Sequence, residues 1–346
     1  MLGFQNFIDI LKKSPLDIIK TNESISDEGA YLAFSMIADG KANNAQIKKF
    51  LTLINKTGIT KSLLFGAAKA LNERSIKIKA PKNAIDVCGT GGDNSNSLNV
   101  STTVAIILAS MGVVVAKHGN KAVSSKSGSA DIFSKLGINI NQSKEETQKS
   151  LKENNLAFIF APLYHPAFKN IMPARKELGV RTIFNFLGPL LNPAQTKRQL
   201  IGCSDKKIAK IMAQTCILLK KEKCWIVTSE DKMDEISISA NTIINKINKK
   251  GEIEEVIFNP EDYGIKKQPI ELIKGKDPTY NASQLINLLK GDINDEKSQA
   301  YFDIVTLNCA AALIIADKFD NFKEAIEFTQ NHIKSGKSYH FLQKLK

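Results

Sequence analysis

A glycine-rich loop lies between a predicted strand and a predicted helix. The apolar run from Ala84 to Cys88 predicts a buried strand, glycines follow at positions 89, 91 and 92, and a helix-length stretch runs from Val100 to Met111. Glycine lets backbone N–H groups approach an anion closely, and the first turn of a helix adds unpaired donors and a favourable dipole. This order of strand, glycine loop and helix predicts a phosphate-binding site.

The loop differs from the two common nucleotide-binding motifs. No Lys-Ser or Lys-Thr pair follows the glycines, and the spacing is not G-x-G-x-x-G with an acidic residue at the distance that a dinucleotide fold needs. A Gly-Thr-Gly-Gly turn alone could be only a tight connection. Asp93 and the Ser/Asn cluster after it favour the binding interpretation, because a carboxylate beside a phosphate is useful when it holds a sugar hydroxyl or a metal-bound water.

A second polar loop, from Lys117 to Asp131, also follows a predicted strand and precedes a predicted helix. It contains three lysines, four serines and two glycines. These residue types are suited to clamping a flexible polyphosphate. The alternative is a polar surface linker.

The composition is that of a globular protein with a sizeable core. The 346 residues are 43% hydrophobic and 24% charged, enough for one large domain or two of ordinary size. The five cysteines are widely spaced without a C-x-x-C pair, and the start of the chain lacks a signal-peptide pattern. No stretch of the sequence predicts a membrane span. We therefore expect free thiols, a cytoplasmic location and no membrane partner.

The net charge of +13 raises the possibility of nucleic-acid binding. The excess is almost entirely lysine spread along the chain, and no basic stripe is interleaved with aromatic residues, so nucleic acid is not the expected partner. Arginine occurs only at positions 74, 175, 181 and 198. Three of the four lie in one short segment, which marks it as a place where lysine does not replace the planar guanidinium.

The periodicity of apolar residues predicts an α/β fold that follows a helical N-terminal part. Apolar residues at three- and four-residue spacing predict helices at Ser26–Ala38, Asn44–Lys56 and Thr60–Glu73. After a polar linker, strands and helices alternate, which predicts a mainly parallel central sheet covered by helices. The expected strands are 84–88, 113–117, 157–161, 199–202, 224–228 and 253–258. A proline-rich segment, Pro162 to Pro193, interrupts this alternation, and we expect it to cross back to the helical part and return.

Five motifs together resemble those of the anthranilate phosphoribosyltransferase family. They are G-T-G-G-D at 89–93, N-V-S-T at 99–102, K-H-G-N at 117–120, S-S-K-S-G-S-A-D at 124–131 and R-T-I-F-N-F-L-G-P-L-L-N-P at 181–193. The likeness runs in order along essentially the whole chain. It implies a Mg²⁺-dependent enzyme of tryptophan biosynthesis that joins the amine of anthranilate to the ribosyl C1 of phosphoribosyl pyrophosphate (PRPP), with inversion, and releases pyrophosphate.

The resemblance also implies roles for individual residues. Residues expected to bind PRPP are Gly89, Gly92, Asp93, Ser97, Asn99, Val100, Ser101, Thr102, Lys117, His118, Gly119, Asn120, Lys121, Ala122, Val123, Ser124, Ser125 and Ser129. Those expected to contact anthranilate are Gly89, Asn120 and Arg175, and those expected to bind Mg²⁺ are Ser101, Asp234 and Glu235. Two positions depart from the family pattern: Asn94 stands where glycine is frequent, and Lys121 where arginine is frequent.

Two of these expectations can be examined from the residues alone. Adjacent Asp234 and Glu235 would point to opposite faces of a regular strand, so both can serve magnesium only in a turn or with two different ions. No acid/base pair is expected, because an aromatic amine is already neutral and loses its proton easily once the C–N bond forms. His118 and His165 are therefore interpreted as hydrogen-bonding or packing residues, and positioning and electrostatics as the source of catalysis.

We expect a small helical domain, residues 1–75 with about 168–196, and a larger α/β domain, residues 76–167 with about 197–346. Substrates would meet in the cleft between them, and the resemblance implies a homodimer. Two alternatives stay open. One is a pyrimidine nucleoside phosphorylase, against which the acidic pair at 234–235 and Arg175 count. The other is a nucleic-acid-binding relative without transferase activity, supported only by the net charge.

Overall fold

The computed structural model describes residues 3–12, 25–122, 126–248 and 250–346. Its N-terminal part is helical, with α1 (Phe4–Lys12), α2 (Asp27–Ala38), α3 (Asn44–Thr57) and α4 (Lys61–Glu73). Side chains cap the helices at the predicted starts: Ser26 accepts from Gly29 N, and Thr60 accepts from Leu63 N. The three helices predicted here are confirmed to within a residue at each end.

Seven strands in the described part of the chain form one sheet in the order β3-β2-β1-β4-β5-β6-β7. The strands are β1 (Ile85–Gly89), β2 (Val115–Gly119), β3 (Leu156–Phe160), β4 (Arg198–Gly202), β5 (Lys223–Ser229), β6 (Thr242–Ile247) and β7 (Ile253–Phe258). The first five are parallel, and β6 and β7 add an antiparallel edge. The predicted α/β fold with a mainly parallel sheet is confirmed, although β6 was not predicted.

The register places both polar loops at one edge of the sheet. Gly89 at the end of β1 pairs with Gly202 at the end of β4, and Gly119 ends the neighbouring β2. Because ligands of parallel α/β sheets bind beyond the carboxyl ends of the strands, this edge is the expected location of a site.

Eleven further helices follow α4 in the described part of the chain. They are α5 (Val100–Ser110), α6 (Ser129–Lys135), α7 (Lys144–Glu153), α8 (Ala161–Tyr164), α9 (Met172–Leu178), α10 (Phe184–Leu187), α11 (Lys206–Leu218), α12 (Pro278–Lys290), α13 (Glu296–Ile315), α14 (Phe322–Lys334) and α15 (Lys337–Lys344), with 3₁₀ turns at Pro166–Asn170, Gly188–Leu191, Pro260–Tyr263 and Ile270–Ile273. Helices α12 and α15 were not predicted. The start of α12 has a local signal, because Asp277 caps it and Pro278 occupies its first turn.

The proline-rich segment packs on the N-terminal helices, in line with the expectation that it crosses back to the helical part. The Phe184 ring lies 5.9 Å from that of Phe34 in α2, and Glu177 accepts from Lys48 Nζ at 2.6 Å. Buried residues of this segment, of α1–α4 and of α11 form one continuous apolar cluster against one face of the sheet. The apolar residues of this segment from Ala167 to Leu191 therefore pack together with the N-terminal helices.

The other face of the sheet packs against α5 and α13. In the described residues, α13 is the one helix whose length and composition would suit a membrane span, but 89% of its apolar stretch is buried inside the protein. It is the central helix of the core.

Candidate active site

A cavity of 1090 Å³ opens at the carboxyl edge of β1 and β2. One wall is formed by the two polar loops, and another by the segment from Ala161 to Leu191 that packs on the helical part. Asp234 and Glu235, in the irregular stretch between β5 and β6, reach the same space. Residues far apart in the chain are thus brought to one place, with the sheet as its floor.

The glycine loop is held on both sides by charged side chains. Gly91 and Gly92 have φ of 67° and 70°, the left-handed region that favours glycine. Gly91 N donates to Asp234 Oδ2 at 2.7 Å, whereas Arg181 donates to the carbonyl oxygens of Gly92 and Gly91 at 2.9 and 3.1 Å. The loop conformation is therefore fixed by tertiary contacts in addition to its own sequence.

The acidic pair lies in a non-strand segment tucked against the ends of β1 and β4. A Cβ at Gly89 would come 2.2 Å from Asp234 Oδ2, and one at Gly202 would come 1.6 Å from the Asp234 backbone oxygen. Glu235 Oε1 accepts from Ser101 N, in the first turn of α5, at 3.2 Å. Because this segment is not a regular strand, Asp234 and Glu235 both line the same cavity. The sequence analysis required such a non-strand conformation if both residues were to serve one magnesium ion.

Three acidic side chains, Asp93, Asp234 and Glu235, line the cavity beside the glycine loop. Burial raises the pKa of Asp234 to about 7, and the nearby Asp93 carboxylate adds to the shift. Burial and the charge of Asp234 likewise raise the pKa of Glu235 well above its ordinary value. Asp93, Asp234 and Glu235 therefore form a group of mutually repelling carboxylates that line one cavity.

Lys117 is the buried cation closest to this wall. Its side chain is 1% exposed, and its Nζ donates to Val87 O at 2.7 Å and to Ser101 Oγ at 3.2 Å. Burial lowers the pKa of Lys117, and the charges of Asp86, Cys88 and Glu235 oppose that shift. The lysine links the middle of β2 to β1 and to the first turn of α5.

Asp86 lies beneath the site as a fully buried carboxylate. It accepts from His118 N at 3.3 Å, from Asn192 Nδ2 at 2.8 Å and from Gln199 Nε2 at 3.2 Å. These donors come from β2, from the returning proline-rich segment and from β4. Asp86 therefore joins three elements under the cavity floor.

The second loop is closed by the Asp131 carboxylate and by a hydrogen bond from Ala130 N to Asn120 O at 3.2 Å. Asp131 Oδ2 accepts from Ala122 N at 3.0 Å and from Gly128 N at 2.9 Å, which brings the two ends of the loop together. Asn99 connects this loop to the first one, because its Nδ2 donates to Ser127 O at 3.1 Å. The two polar loops are thus connected to each other by a direct hydrogen bond.

The wall formed by residues 161–191 carries Arg175 and His165, and His118 of β2 contacts His165. Arg175 lies 5.7 Å from the Phe184 ring, burial lowers its pKa, and no described carboxylate forms an ion pair with it. His118 and His165 are buried, with their Nε2 atoms 3.2 Å apart, and His118 Nδ1 contacts Gly188 O at 3.1 Å. The contacts of these histidines agree with the expected hydrogen-bonding and packing roles, and Arg175 is available to a carboxylate ligand.

Comparisons with known proteins agree with this geometry over the whole chain. Residues 81–339 match the model of the glycosyl transferase family a/b domain, and residues 15–75 match the helical bundle domain of the same family. The anthranilate phosphoribosyltransferase of Pelagibacter ubique is 40% identical over 95% of this chain and 98% of its own length. This chain belongs to the anthranilate phosphoribosyltransferase family.

Solved structures of the family superimpose on nearly all of the molecule. The anthranilate phosphoribosyltransferase of Thermus thermophilus aligns with a TM-score of 0.89 at 29% identity, covering 100% of this chain and 98% of that one. The Saccharomyces cerevisiae enzyme in complex with PRPP and Mg aligns with a TM-score of 0.88 at 25% identity, covering 99% of this chain and 96% of that one. The fold of this phosphoribosyltransferase family member is therefore that of its characterised relatives.

The structure brings most of the residues singled out in the sequence to the cavity. Its lining includes Gly89, Gly92, Asp93, Ser97, Asn99, Val100, Ser101, Lys117, His118, Gly119, Asn120, Lys121, Ala122, Ser129, Arg175, Asp234 and Glu235. Val123, Ser124 and Ser125 lie outside the described residues. The Thr102 side chain is 1% exposed and is not among the residues that line the cavity, so its contact with PRPP stays a prediction.

Several lining residues were not predicted as part of the site. Arg181 had a signal, since it belongs to the arginine cluster, but no role was assigned to it. Lys276 and Asn281 had none, because they lie far along the chain and reach the cavity only through the fold. Asn281 Nδ2 donates to Asn99 Oδ1 at 3.0 Å, so the start of α12 supports the first loop.

Proposed function

We propose that this protein transfers the phosphoribosyl group of PRPP to the amine of anthranilate, giving N-(5-phosphoribosyl)anthranilate and pyrophosphate, in tryptophan biosynthesis. One observation carries the proposal: the two connected polar loops share a single cavity with Arg175. The first feature suits a phosphorylated donor, and the second suits an acceptor that carries a carboxylate. Membership of the family supports the same reaction.

For the donor, we propose that the two loops hold the phosphates and the ribose. Gly92 and Asp93 line the cavity, and no described protein atom accepts a hydrogen bond from the backbone N–H group of either residue. Lys117, in β2, adds positive charge beside Ser101. These groups stabilise the pyrophosphate as it leaves, which is the charge that develops in the reaction.

For the acceptor, we propose that Arg175 binds the anthranilate carboxylate, with Asn120 and Gly89 as further contacts. A planar guanidinium forms paired hydrogen bonds with a carboxylate and thereby fixes the ring orientation. Holding the amine near C1 of the ribose supplies much of the rate enhancement by positioning. No side chain is assigned to proton abstraction.

We propose that Ser101, Asp234 and Glu235 hold Mg²⁺. The residues fit this ion, because they are hard oxygen donors. Both carboxylates line the cavity, and Glu235 also lies beside the first turn of α5 that carries Ser101, which supports this assignment. Bound Mg²⁺ would neutralise charge on the pyrophosphate group.

The domain division and the surroundings of the enzyme are also proposals. We place the small domain at residues 1–75 with about 168–196 and the larger one at 76–167 with about 197–346, a division supported by the continuous apolar cluster of the helical part. A homodimer is expected from the family resemblance, and light scattering would test it. The five free cysteines support a cytoplasmic location.

The test of the function is the loss of anthranilate fluorescence on adding PRPP, first with Mg²⁺ and then with a chelator. We expect a loss that requires Mg²⁺. Folded protein that leaves the fluorescence unchanged would overturn the proposal. Phosphorolysis of a pyrimidine nucleoside, or salt-sensitive DNA binding, would then identify which alternative applies.

A further inference from the structure

Arg181 connects the helical part of the molecule to the glycine loop. It lies between α9 and α10, and its backbone oxygen accepts from Asn55 Nδ2 of α3 at 2.8 Å. Its guanidinium reaches across the cavity wall, where Nη1 donates to Gly92 O and Nη2 to Gly91 O. One side chain thus holds two consecutive peptide groups of the loop.

These two contacts determine where the N–H groups of the loop point. In a trans peptide the C=O and the N–H of one unit face opposite directions, and the described chain contains no cis peptide bond. With the Gly91 and Gly92 carbonyls turned towards Arg181, the amides of Gly92 and Asp93 are turned away from it. No described protein atom accepts from either amide, and both residues line the cavity.

The site is built for a planar guanidinium. The two Nη atoms of the rigid, planar Arg181 guanidinium donate to the neighbouring carbonyl oxygens of Gly92 and Gly91. The guanidinium also lies 5.0 Å from the Phe186 ring. A Cβ on Gly92 would come 2.9 Å from Arg181 Cζ, so glycine at this position leaves room for the fork. A lysine ammonium at this position would act as a point charge. It could donate to one of the two carbonyl oxygens but would not hold both in a fixed orientation.

We propose that Arg181 is a positioning residue that orients the glycine loop so that Gly92 N and Asp93 N are presented to the pyrophosphate group of PRPP. The inference rests on the proposed function, since it names how that same site recognises its donor. It acts on donor binding and leaves the acceptor side, at Arg175, untouched.

The experiment compares Arg181→Lys and Arg181→Ala with the wild-type enzyme. KM for PRPP, KM for anthranilate and kcat are measured by anthranilate fluorescence, and thermal melting reports folding. We expect Arg181→Lys to raise KM for PRPP about tenfold, the effect of one lost charge-assisted hydrogen bond, with KM for anthranilate unchanged. Added guanidinium ion should partly restore PRPP binding in Arg181→Ala.

Arg198→Lys is the matched control. Arg198 also lies in the arginine cluster, but it pairs with Asp317 at 2.6 Å and does not line the cavity. We expect its substitution to leave both KM values unchanged and to show no response to guanidinium.

The outcomes separate this inference from the proposed function. A wild-type enzyme without anthranilate turnover would overturn the proposed function and, with it, the inference. An active wild type with an unchanged KM for PRPP in both Arg181 variants would overturn the inference alone. A rise confined to KM for anthranilate would also overturn it, because Arg181 would then be a contact of the acceptor.

Discussion

Replacement of Gly89 by alanine tests whether the position of Asp234 controls activity. The new Cβ would lie 2.2 Å from Asp234 Oδ2 and 2.9 Å from Asp234 Cγ. Non-bonded carbon and oxygen atoms need about 3.5 Å, so the carboxylate must retreat by about 1 Å. Its 2.7 Å hydrogen bond to Gly91 N cannot survive that movement unless the loop follows.

The size of the effect follows from the contact that is lost. A hydrogen bond to a charged group contributes about 1.5–3 kcal/mol. If catalysis depends on this placement of Asp234, Gly89→Ala should lower kcat/KM by about tenfold to about a hundredfold. Melting should change little, because the clash is with the end of a side chain at a cavity wall.

A double-mutant cycle distinguishes this explanation from simple blockage of the cavity. The rates of Gly89→Ala, of Asp234→Ala and of the double variant are compared by anthranilate fluorescence at saturating Mg²⁺. We expect the double variant to be no slower than Asp234→Ala alone, because the alanine acts through the carboxylate. Losses that multiply would refute the reasoning and indicate that the methyl group obstructs a substrate.

Three further substitutions test other parts of the site. Arg175→Lys should raise KM for anthranilate about tenfold and leave KM for PRPP unchanged, since a bidentate contact with the carboxylate is lost; a change in the PRPP value alone would contradict this role. Glu235→Gln should raise the Mg²⁺ concentration needed for half-maximal activity, measured by titration after chelation; an unchanged midpoint would remove Glu235 from the metal site. Asp86→Asn should lower the free energy of unfolding by about 2–4 kcal/mol, because the amide cannot accept from all three buried donors; urea unfolding with an unchanged midpoint would show that these bonds contribute nothing.

The sequence was sufficient for those parts of the molecule that are encoded locally. Apolar residues at three- and four-residue spacing predicted the helical part, and short apolar runs alternating with helical patterns predicted most of the sheet. Strand β6 was missed because Asn245 and Lys246 interrupt its short apolar run. Local patterns identify an element more readily than they identify its partners.

The sequence predicted some residues of the site and missed others, depending on whether the residues lie in one continuous segment. The two loops were found because each carries its functional residues in one continuous segment. Arg181 and Asn281 were missed because their hydrogen bonds join residues about 90 and 182 positions apart. What the sequence could not supply is the support of the loops, which comes from long-range contacts.

At Gly89 and Gly92, the structural reason why glycine is required differs from the reason that the motif suggests. The motif predicted that glycine lets a bound phosphate approach the backbone. In the structure, the space beside Gly89 is taken by Asp234, and the space beside Gly92 by Arg181. Glycine at these two positions admits protein groups that hold the loop.

Gly91 differs, because nothing lies within 4 Å of its missing Cβ while its φ is 67°. Conformation alone then requires glycine, and Gly91→Ala should reduce stability by about 1–2 kcal/mol. Asn94 and Asn96 adopt positive φ in the same loop, so Gly91→Asn is the matched control and should be the milder change. Equal losses of melting temperature in the two variants would show that contacts, and not the left-handed backbone, select glycine here.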